Sequence, residues 1–279
     1  ADLVEDENGN WWMVFLGIRR FSHALLHNLG RETFLAPVVW DENGWPVAGN
    51  RGTVELEMEA PLPGKAEPVD HARLIDFHEA EMSRHLFYTR NPKTENYIYA
   101  PEQGTLTLKG TDITINEPGT SPTILNLRQP QFCTTLTAKL DLDATDAERC
   151  GISAYYNNDY HYDIYVSCHE GRKYICFYKH IHDMGVELYR TRISEEMLSM
   201  GKLIEMRIDT DREKYTFSYR VGDSEYTVAG SGLNAGLSTE GTKTMTFTGT
   251  LFSMFCENGT GVFSDKIELK INPDENYTL

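Results

Sequence analysis

The chain has 279 residues, a formal charge of -16 and a pI near 5.0, a balance that argues against nucleic acid and anionic membranes as partners. An apolar fraction of 40% with 11% aromatic residues fits one or two domains with sizeable cores and excludes a disordered chain. The charge fits a soluble protein acting on a neutral ligand, and no apolar run approaches the length of a membrane span.

The chain opens on Ala1-Asp2-Leu3-Val4, which reads as a strand already under way, without cap or leader. A piece cut inside a domain is therefore expected. Asn8-Gly9-Asn10 is a hairpin turn, and Trp11 to Ile18 is a strand apolar on both faces. Arg19 to Asn28 reads as a loop carrying His23 and His27. Their spacing of four suits a metal only on a helix, so solvated loop histidines are the better reading. Phe34 to Trp40 and Thr53 to Met58 are the next strands. Between them, Asp41-Glu42-Asn43-Gly44 is turn chemistry, because Asn and Gly tolerate positive φ. Trp45-Pro46-Val47 begins the returning strand, where the missing proline N–H does least harm. Trp11, Trp12, Trp40 and Trp45 all fall in this segment, and no Trp follows. Core packing is preferred for them over stacking on sugar rings. Pro61-Leu62-Pro63-Gly64, with Lys65 to Pro68, reads as a linker and divides the chain into residues 1–64 and 65–279.

From Val69 the texture changes. Leu74 to Phe87 reads as a short helix or an irregular entry. Alternating segments follow: Thr105 to Lys109, Phe132 to Leu142, Leu203 to Asp209, Tyr215 to Val221, Glu225 to Ala229, Met245 to Cys256 and Val262 to Ile271. Turns at Glu170-Gly171, Val221-Gly222-Asp223 and Glu257-Asn258-Gly259 separate strands, a pattern that predicts a β-sandwich. Ser194 to Met200 is the one convincing helical turn. Cys133, Cys150, Cys168, Cys176 and Cys256 are odd in number and irregularly spaced. Free thiols in a reducing compartment, hence a cytoplasmic protein, are the expectation. Asn258-Gly259-Thr260 and Asn276-Tyr277-Thr278 match the glycosylation sequon, and neither is assigned a role.

Three pieces carry a resemblance: Ala1 to Gly17 with its Gly-Asn-Trp-Trp-Met-Val-Phe-Leu-Gly run, Leu29-Gly-Arg-Glu-Thr-Phe-Leu-Ala-Pro-Val38, and Asp41-Glu-Asn-Gly-Trp-Pro-Val47. Together they resemble the last propeller blade of glycoside hydrolase family 43. Within it they are similar to β-xylosidase and α-L-arabinofuranosidase members with a C-terminal β-sandwich. The remaining chain resembles that sandwich more diffusely. The resemblance implies an all-β fold: the final blade of a five-bladed β-propeller, then a concanavalin A-like jelly roll. It implies inverting removal of terminal β-xylosyl or α-L-arabinofuranosyl units, with two carboxyl groups roughly 6.5–9.5 Å apart. The family's catalytic carboxylates lie on earlier blades. A histidine near a metal at the propeller centre would fall just upstream of Ala1. No catalytic residue is therefore expected in this chain, and Asp2 and Glu32 are only tempting substitutes.

Arg31 matches the family arginine that hydrogen-bonds the hydroxyls of the terminal sugar. Its guanidinium offers five fixed donors. The alternative is a structural arginine paired with Glu32 or Asp2. Glu32 and Thr33 are expected to support Arg31 rather than to bind directly. Phe247, in Met245-Thr-Phe-Thr-Gly-Thr250, is similar to a family Phe-Thr-Gly-Ala whose loop Phe closes the leaving-group side, against a core-strand alternative. The Tyr155 to Asp163 cluster is similar to a family stretch in the sandwich; packing is preferred there over a carbohydrate platform. Asp76, Glu79 and Asp265 are the acidic residues for a structural calcium, against solvated charge. No other cofactor is required. Expected partners are xylo- and arabino-oligosaccharides and the upstream propeller segment, with no nucleic acid or membrane. Two other readings stay open: a carbohydrate-binding module for xylan-type glycans, and a structural domain with an apolar face for a propeller or for a second subunit in a homo-oligomer.

Overall fold

The computed structural model describes residues 1–21, 25–55, 58–61, 69–242 and 247–274. His23, Met245 and Thr246, the Asn276 sequon and most of the expected linker lie outside the described residues. The chain forms two compact units: Ala1–Arg19 with Arg31–Asp70, and Arg20–Gly30 with His71–Leu279. Sequence reading divided the chain once, after residue 64. The structure assigns an internal segment of the first part to the second unit.

In the first unit β1 (Asp2–Glu5), β2 (Trp11–Gly17), β3 (Glu32–Trp40) and β4 (Pro46–Ala48) form one antiparallel sheet in chain order. Each of its tight hairpins closes on an aspartate. Asp6 accepts the N–H of Asn8 at 2.8 Å and of Asn10 at 2.9 Å, and Asp41 accepts those of Asn43 and Trp45. Gly9 and Gly44 supply the positive φ, +81° and +79°. Trp12, Ala36 and Val38 are buried, whereas Leu16, Val39, Trp40 and Trp45 are exposed. Packing thus holds for Trp12 but not for Trp45. Where a strand over Thr53 to Met58 was expected, the described residues make only a bridge between Asn50 and Thr53.

The second unit is a sandwich of two antiparallel sheets. Its strands are β5 (Arg73–Asp76), β6 (Phe87–Tyr88), β7 (Tyr97–Ala100), β8 (Thr105–Gly110), β9 (Ile124–Arg128), β10 (Thr134–Asp141), β11 (Arg149–Asn157), β12 (Tyr160–His169), β13 (Arg172–Ile181) and β14 (Met184–Arg192). Helix α1 (Glu195–Met200) follows, then β15 (Leu203–Thr210), β16 (Lys214–Val221), β17 (Thr227–Leu233), β18 (Leu251–Glu257) and β19 (Gly259–Ile271). One sheet runs β17-β16-β15-β10-β19-β8-β7, with β5 also paired to β19. The other runs β14-β13-β12-β11-β18-β9-β6. Alternation directs Leu136, Ala138 and Leu140 of β10, and Ile204, Met206 and Ile208 of β15, into the core. There they join Ile152 and Ala154 of β11 and Tyr162 and Ile164 of β12. Ser194 caps α1, its hydroxyl accepting the Met197 N–H at 3.2 Å.

Leu74 to Phe87 is the irregular entry rather than the helix. It holds two short strands joined by turns, one of which closes where Asp76 accepts the His78 N–H at 2.8 Å. The Tyr155 to Asp163 cluster is a hairpin that turns at Asn157-Asn158-Asp159, and its alternation splits it between faces. Tyr156, Tyr160 and Tyr162 enter the main core. Tyr155 lies in a second core with Ile115, Ile124, Tyr165, Cys176 and Phe255, so the β11 sheet is buried on both sides.

Candidate functional site

Arg31 precedes β3 and is exposed, as is Thr33; Glu32 between them is half-buried. The β2–β3 register pairs Gly17 with Glu32, which brings Arg19, two residues beyond β2, to the same end of the sheet. Arg19 holds both Glu32 oxygens, Nε to Oε2 and Nη2 to Oε1, each at 2.8 Å. This fork fixes the carboxylate in the plane of the guanidinium. Sequence reading named Glu32 or Asp2 as the alternative partner of Arg31 and missed Arg19 as the partner of Glu32. Asp2 stands opposite Val14, which faces Leu35, three residues along β3 from Glu32. The odd offset of three residues along β3 puts Glu32 on the face of the sheet opposite to Asp2, so the two do not form a facing carboxyl pair.

In the second unit the segment ending at Gly30 is clamped by the sandwich. His27 is buried, with Nδ1 2.6 Å from Glu240 Oε1, and its N–H donates to Glu240 Oε2 at 3.0 Å. The expectation of a solvated loop histidine is thus corrected: an acid 213 residues away holds it. Asn28, fully buried, donates to the Tyr215 hydroxyl at 2.6 Å, which itself donates to Gln129 at 2.8 Å. The Asn28 carbonyl accepts the Thr250 N–H at 2.7 Å. Gly30 (φ +78°) and Gly249 (φ +74°) let the two backbones pass. A Cβ on Gly30 would lie 2.5 Å from the Thr248 carbonyl carbon, and one on Gly249 would lie 2.3 Å from that of Leu29. Arg31 follows the first glycine directly, and Phe247 lies two residues before the second. Phe247 is 53% exposed and precedes β18, which removes the core-strand alternative.

Asp76 and Asp265 approach through the β5–β19 pairing, where the Phe77 N–H donates to the Asp265 carbonyl at 2.8 Å. Their carboxylates are engaged elsewhere, Asp76 by the His78 ring and Asp265 by Lys139 at 2.7 Å. The His78 contacts hold Asp76 below the usual carboxylate range. Among the described residues no three His, Cys, Asp or Glu are grouped to hold a metal ion.

The sequence reading also missed a buried charge network on the second face of the β11 sheet. Arg149 bonds Asp163 at 2.8 Å and Glu257 at 3.2 Å, beneath the rings of Tyr165 and Tyr178. Asp163 also accepts from Ser153 at 2.7 Å and meets His161 Nδ1 at 2.8 Å. Burial works to raise the Asp163 carboxyl, but His161, Arg149 and Ser153 together hold it below the usual range. For Glu257 burial prevails over Arg149 and pushes the carboxyl up. Asp163 and His161 are fully buried and Glu257 nearly so. The Arg149 side chain is 16% exposed and its Nε finds no partner among the described residues, but both carboxylates are held by several groups, so the network is read as structural.

Residues 75–265 match the family model for the β-xylosidase C-terminal concanavalin A-like domain, and residues 1–46 match that for glycosyl hydrolases family 43. The chain is 33% identical over 224 residues to the non-reducing end α-L-arabinofuranosidase BoGH43B of Bacteroides ovatus, covering 79% of this chain and 40% of that protein. It is 33% identical over 170 residues to a xylosidase/arabinosidase of Butyrivibrio fibrisolvens, 60% of this chain and 32% of that one. The solved structure of the Bacteroides ovatus xyloglucan PUL GH43B superposes with a TM-score of 0.85 at 26% identity, covering 97% of this chain and 53% of that one. The chain thus spans only about two fifths of the first curated relative's length. On the match over most of its length, it belongs to glycoside hydrolase family 43, pairing a propeller-blade sheet with the family's concanavalin A-like sandwich.

Proposed function

We propose that this chain is part of an exo-acting, inverting glycosidase that removes terminal β-D-xylosyl or α-L-arabinofuranosyl units from xylo- and arabinoxylo-oligosaccharides. The observation that carries the reading is the presence, in one chain, of a family 43 match over residues 1–46, including Gly30-Arg31-Glu32-Thr33, and a β-xylosidase-type C-terminal domain. Two curated relatives are named for arabinofuranosidase and xylosidase/arabinosidase activity. Arg31 supplies the fork of donors for sugar hydroxyls, Phe247 shapes the rim, and Thr33 and the Arg19–Glu32 pair support Arg31. Glu32, bonded on both oxygens, is no proton donor, and Asp2 belongs to the other face of the sheet. The catalytic carboxylates are therefore assigned to further propeller sequence, and residues 1–279 alone are expected to be inactive. A reducing, cytoplasmic setting is proposed with it, supported by five cysteines that form no disulfide.

The test is hydrolysis of aryl β-D-xyloside and aryl α-L-arabinofuranoside by the chain alone and combined with the remaining propeller sequence. Inactivity alone and activity in combination are expected, with about a hundredfold or greater loss on Arg31→Ala. Activity of the chain alone that disappears on Glu32→Gln or Asp2→Asn would overturn the assignment.

A further inference from the structure

We propose that the outward face of the β10 sheet is a binding groove for a carboxylate-bearing oligosaccharide, a sugar chain carrying a uronic acid. This rests on the sandwich alone and does not depend on the hydrolytic reading. The inward residues of β10, β15 and β16 fill the core, so the alternate residues line the other face. There they form a groove of about 400 Å³. Five cations line it, Lys139, Arg207, Arg220, Lys266 and Lys270. Four are paired, Lys139 with Asp265, Arg207 with Asp209, Arg220 with Glu205 and Lys270 with Glu268, which leaves Lys266 as the excess charge. A groove with one cation in excess stands out on a chain of charge -16.

Its electrostatics favour an incoming anion. Glu205 is already occupied, by Arg220 at 2.8 Å and by the Tyr226 hydroxyl. The Tyr226 ring lies 4.3 Å from the Arg207 guanidinium and 4.7 Å from that of Arg220, which holds both planes in place. Arg207 meets Asp209 through Nε. Its terminal nitrogens make no hydrogen bond among the described residues, so a bidentate edge is open to a carboxylate. Lys266 has no ion pair among the described residues.

The flanking groups suit a sugar. The register sets Ser218, Arg207 and Thr137 in one row across three strands. Ser218 is 2% exposed and lies beneath the lining. Thr137, which lines the groove beside Arg207, offers a hydroxyl to a hydroxylated ligand, directly or through a water. From β16 to β19 the groove crosses four strands, about 14 Å at the usual strand spacing, which admits an oligosaccharide rather than a single ion. An apolar protein face is disfavoured there, because it would strip water from seven charged groups.

The experiment is calorimetric titration of the full chain with a xylo-oligosaccharide bearing one uronic acid, and with the neutral oligosaccharide of the same length. At least tenfold tighter binding of the acidic sugar is expected. It should weaken in high salt and fall about tenfold in both Arg207→Gln and Lys266→Gln, the second being a surface change that leaves the fold intact. Equal affinity for the two sugars, binding of neither, or binding unaffected in Lys266→Gln and a folded Arg207→Gln would overturn the proposal. Free glucuronate binding as tightly as the oligosaccharide would also overturn it, by reducing the groove to a simple anion site. Since no turnover is read, these outcomes are separate from the success or failure of the hydrolase reading.

Discussion

The four-stranded sheet and the β11 sheet of the sandwich are both antiparallel, both rich in aromatic residues and both apolar on two faces, yet they complete their burial differently. The β11 sheet is covered on each side by the chain's own residues: the β10 sheet on one face, and the stretch around Ile115 on the other. There the Ile115 N–H donates to Glu257 at 2.9 Å, and Asn116 meets His161 at 2.7 Å. The four-stranded sheet leaves Leu16 59%, Val39 69% and Trp45 70% exposed. Closing a sheet on both faces brings polar groups inside, and each must then find a partner. Leaving a face open avoids that demand but presents apolar surface and strand edges for a neighbour to cover.

The largest effect expected from this contrast is in the buried network. Asp163→Asn leaves Arg149 and His161 without their shared carboxylate and should destabilise the sandwich by about 3–5 kcal/mol in urea unfolding. A loss below about 1 kcal/mol would mean that water reaches the site. Next comes the clamp. Gly249→Ala and Gly30→Ala each force a left-handed residue against backbone and should cost about 1–3 kcal/mol, read as a lowered Tm. Variants with unchanged Tm would show that the two backbones are not held together. Acid should separate the sheets in another way. The hydrogen bonds from Asn10, from its side chain above all, hold the Asp6 carboxyl at about 2 despite the opposing pull of burial. A depressed folded value means that its contribution is present above pH ~4 and lost as pH falls from there through about 2. In Asp6→Asn that acid-sensitive step in the Trp12 environment, followed by fluorescence, should disappear. The smallest effect belongs to the open face: Trp45→Ser should change stability by under about 0.5 kcal/mol while reducing binding of a hydrophobic dye. A large loss of stability would show that Trp45 is already packed in solution.

What the sequence made legible was local. The hairpins at Asp6 and Asp41, the period-two core of β10 and β15 and the Ser194 cap each rest on residues within a few positions of one another. What it hid was the set of partners chosen by register. Arg19 and Glu32 meet because β2 and β3 bring their ends together, and Arg149 meets Asp163 because β11 and β12 are neighbours. Nothing in the run around His27 points to Glu240. Of the two readings of Leu74 to Phe87 the irregular entry holds; its strands carried no signal because β5 and β6 are too short to show alternation, and β5 pairs with β19 while β6 pairs with β9. The proposal of Arg31 and Phe247 as site residues rests on family resemblance alone. The groove on the β10 sheet gave no linear signal, since its cations come from four strands.

The segment Arg20–Gly30 belongs to the sandwich by its contacts, although residues on either side of it belong to the first unit. The polypeptide therefore passes between the units three times, and no single cut can part them. A nuclease or protease boundary drawn in the Pro61 to Pro68 region would carry away Asn28 and His27 and leave Tyr215 and Glu240 facing a gap. The sandwich is thus not a cassette that a gene fusion can append to any propeller. It must be inherited together with the short internal stretch that docks on it, so the last blade and the jelly roll are bound to travel as one heritable piece.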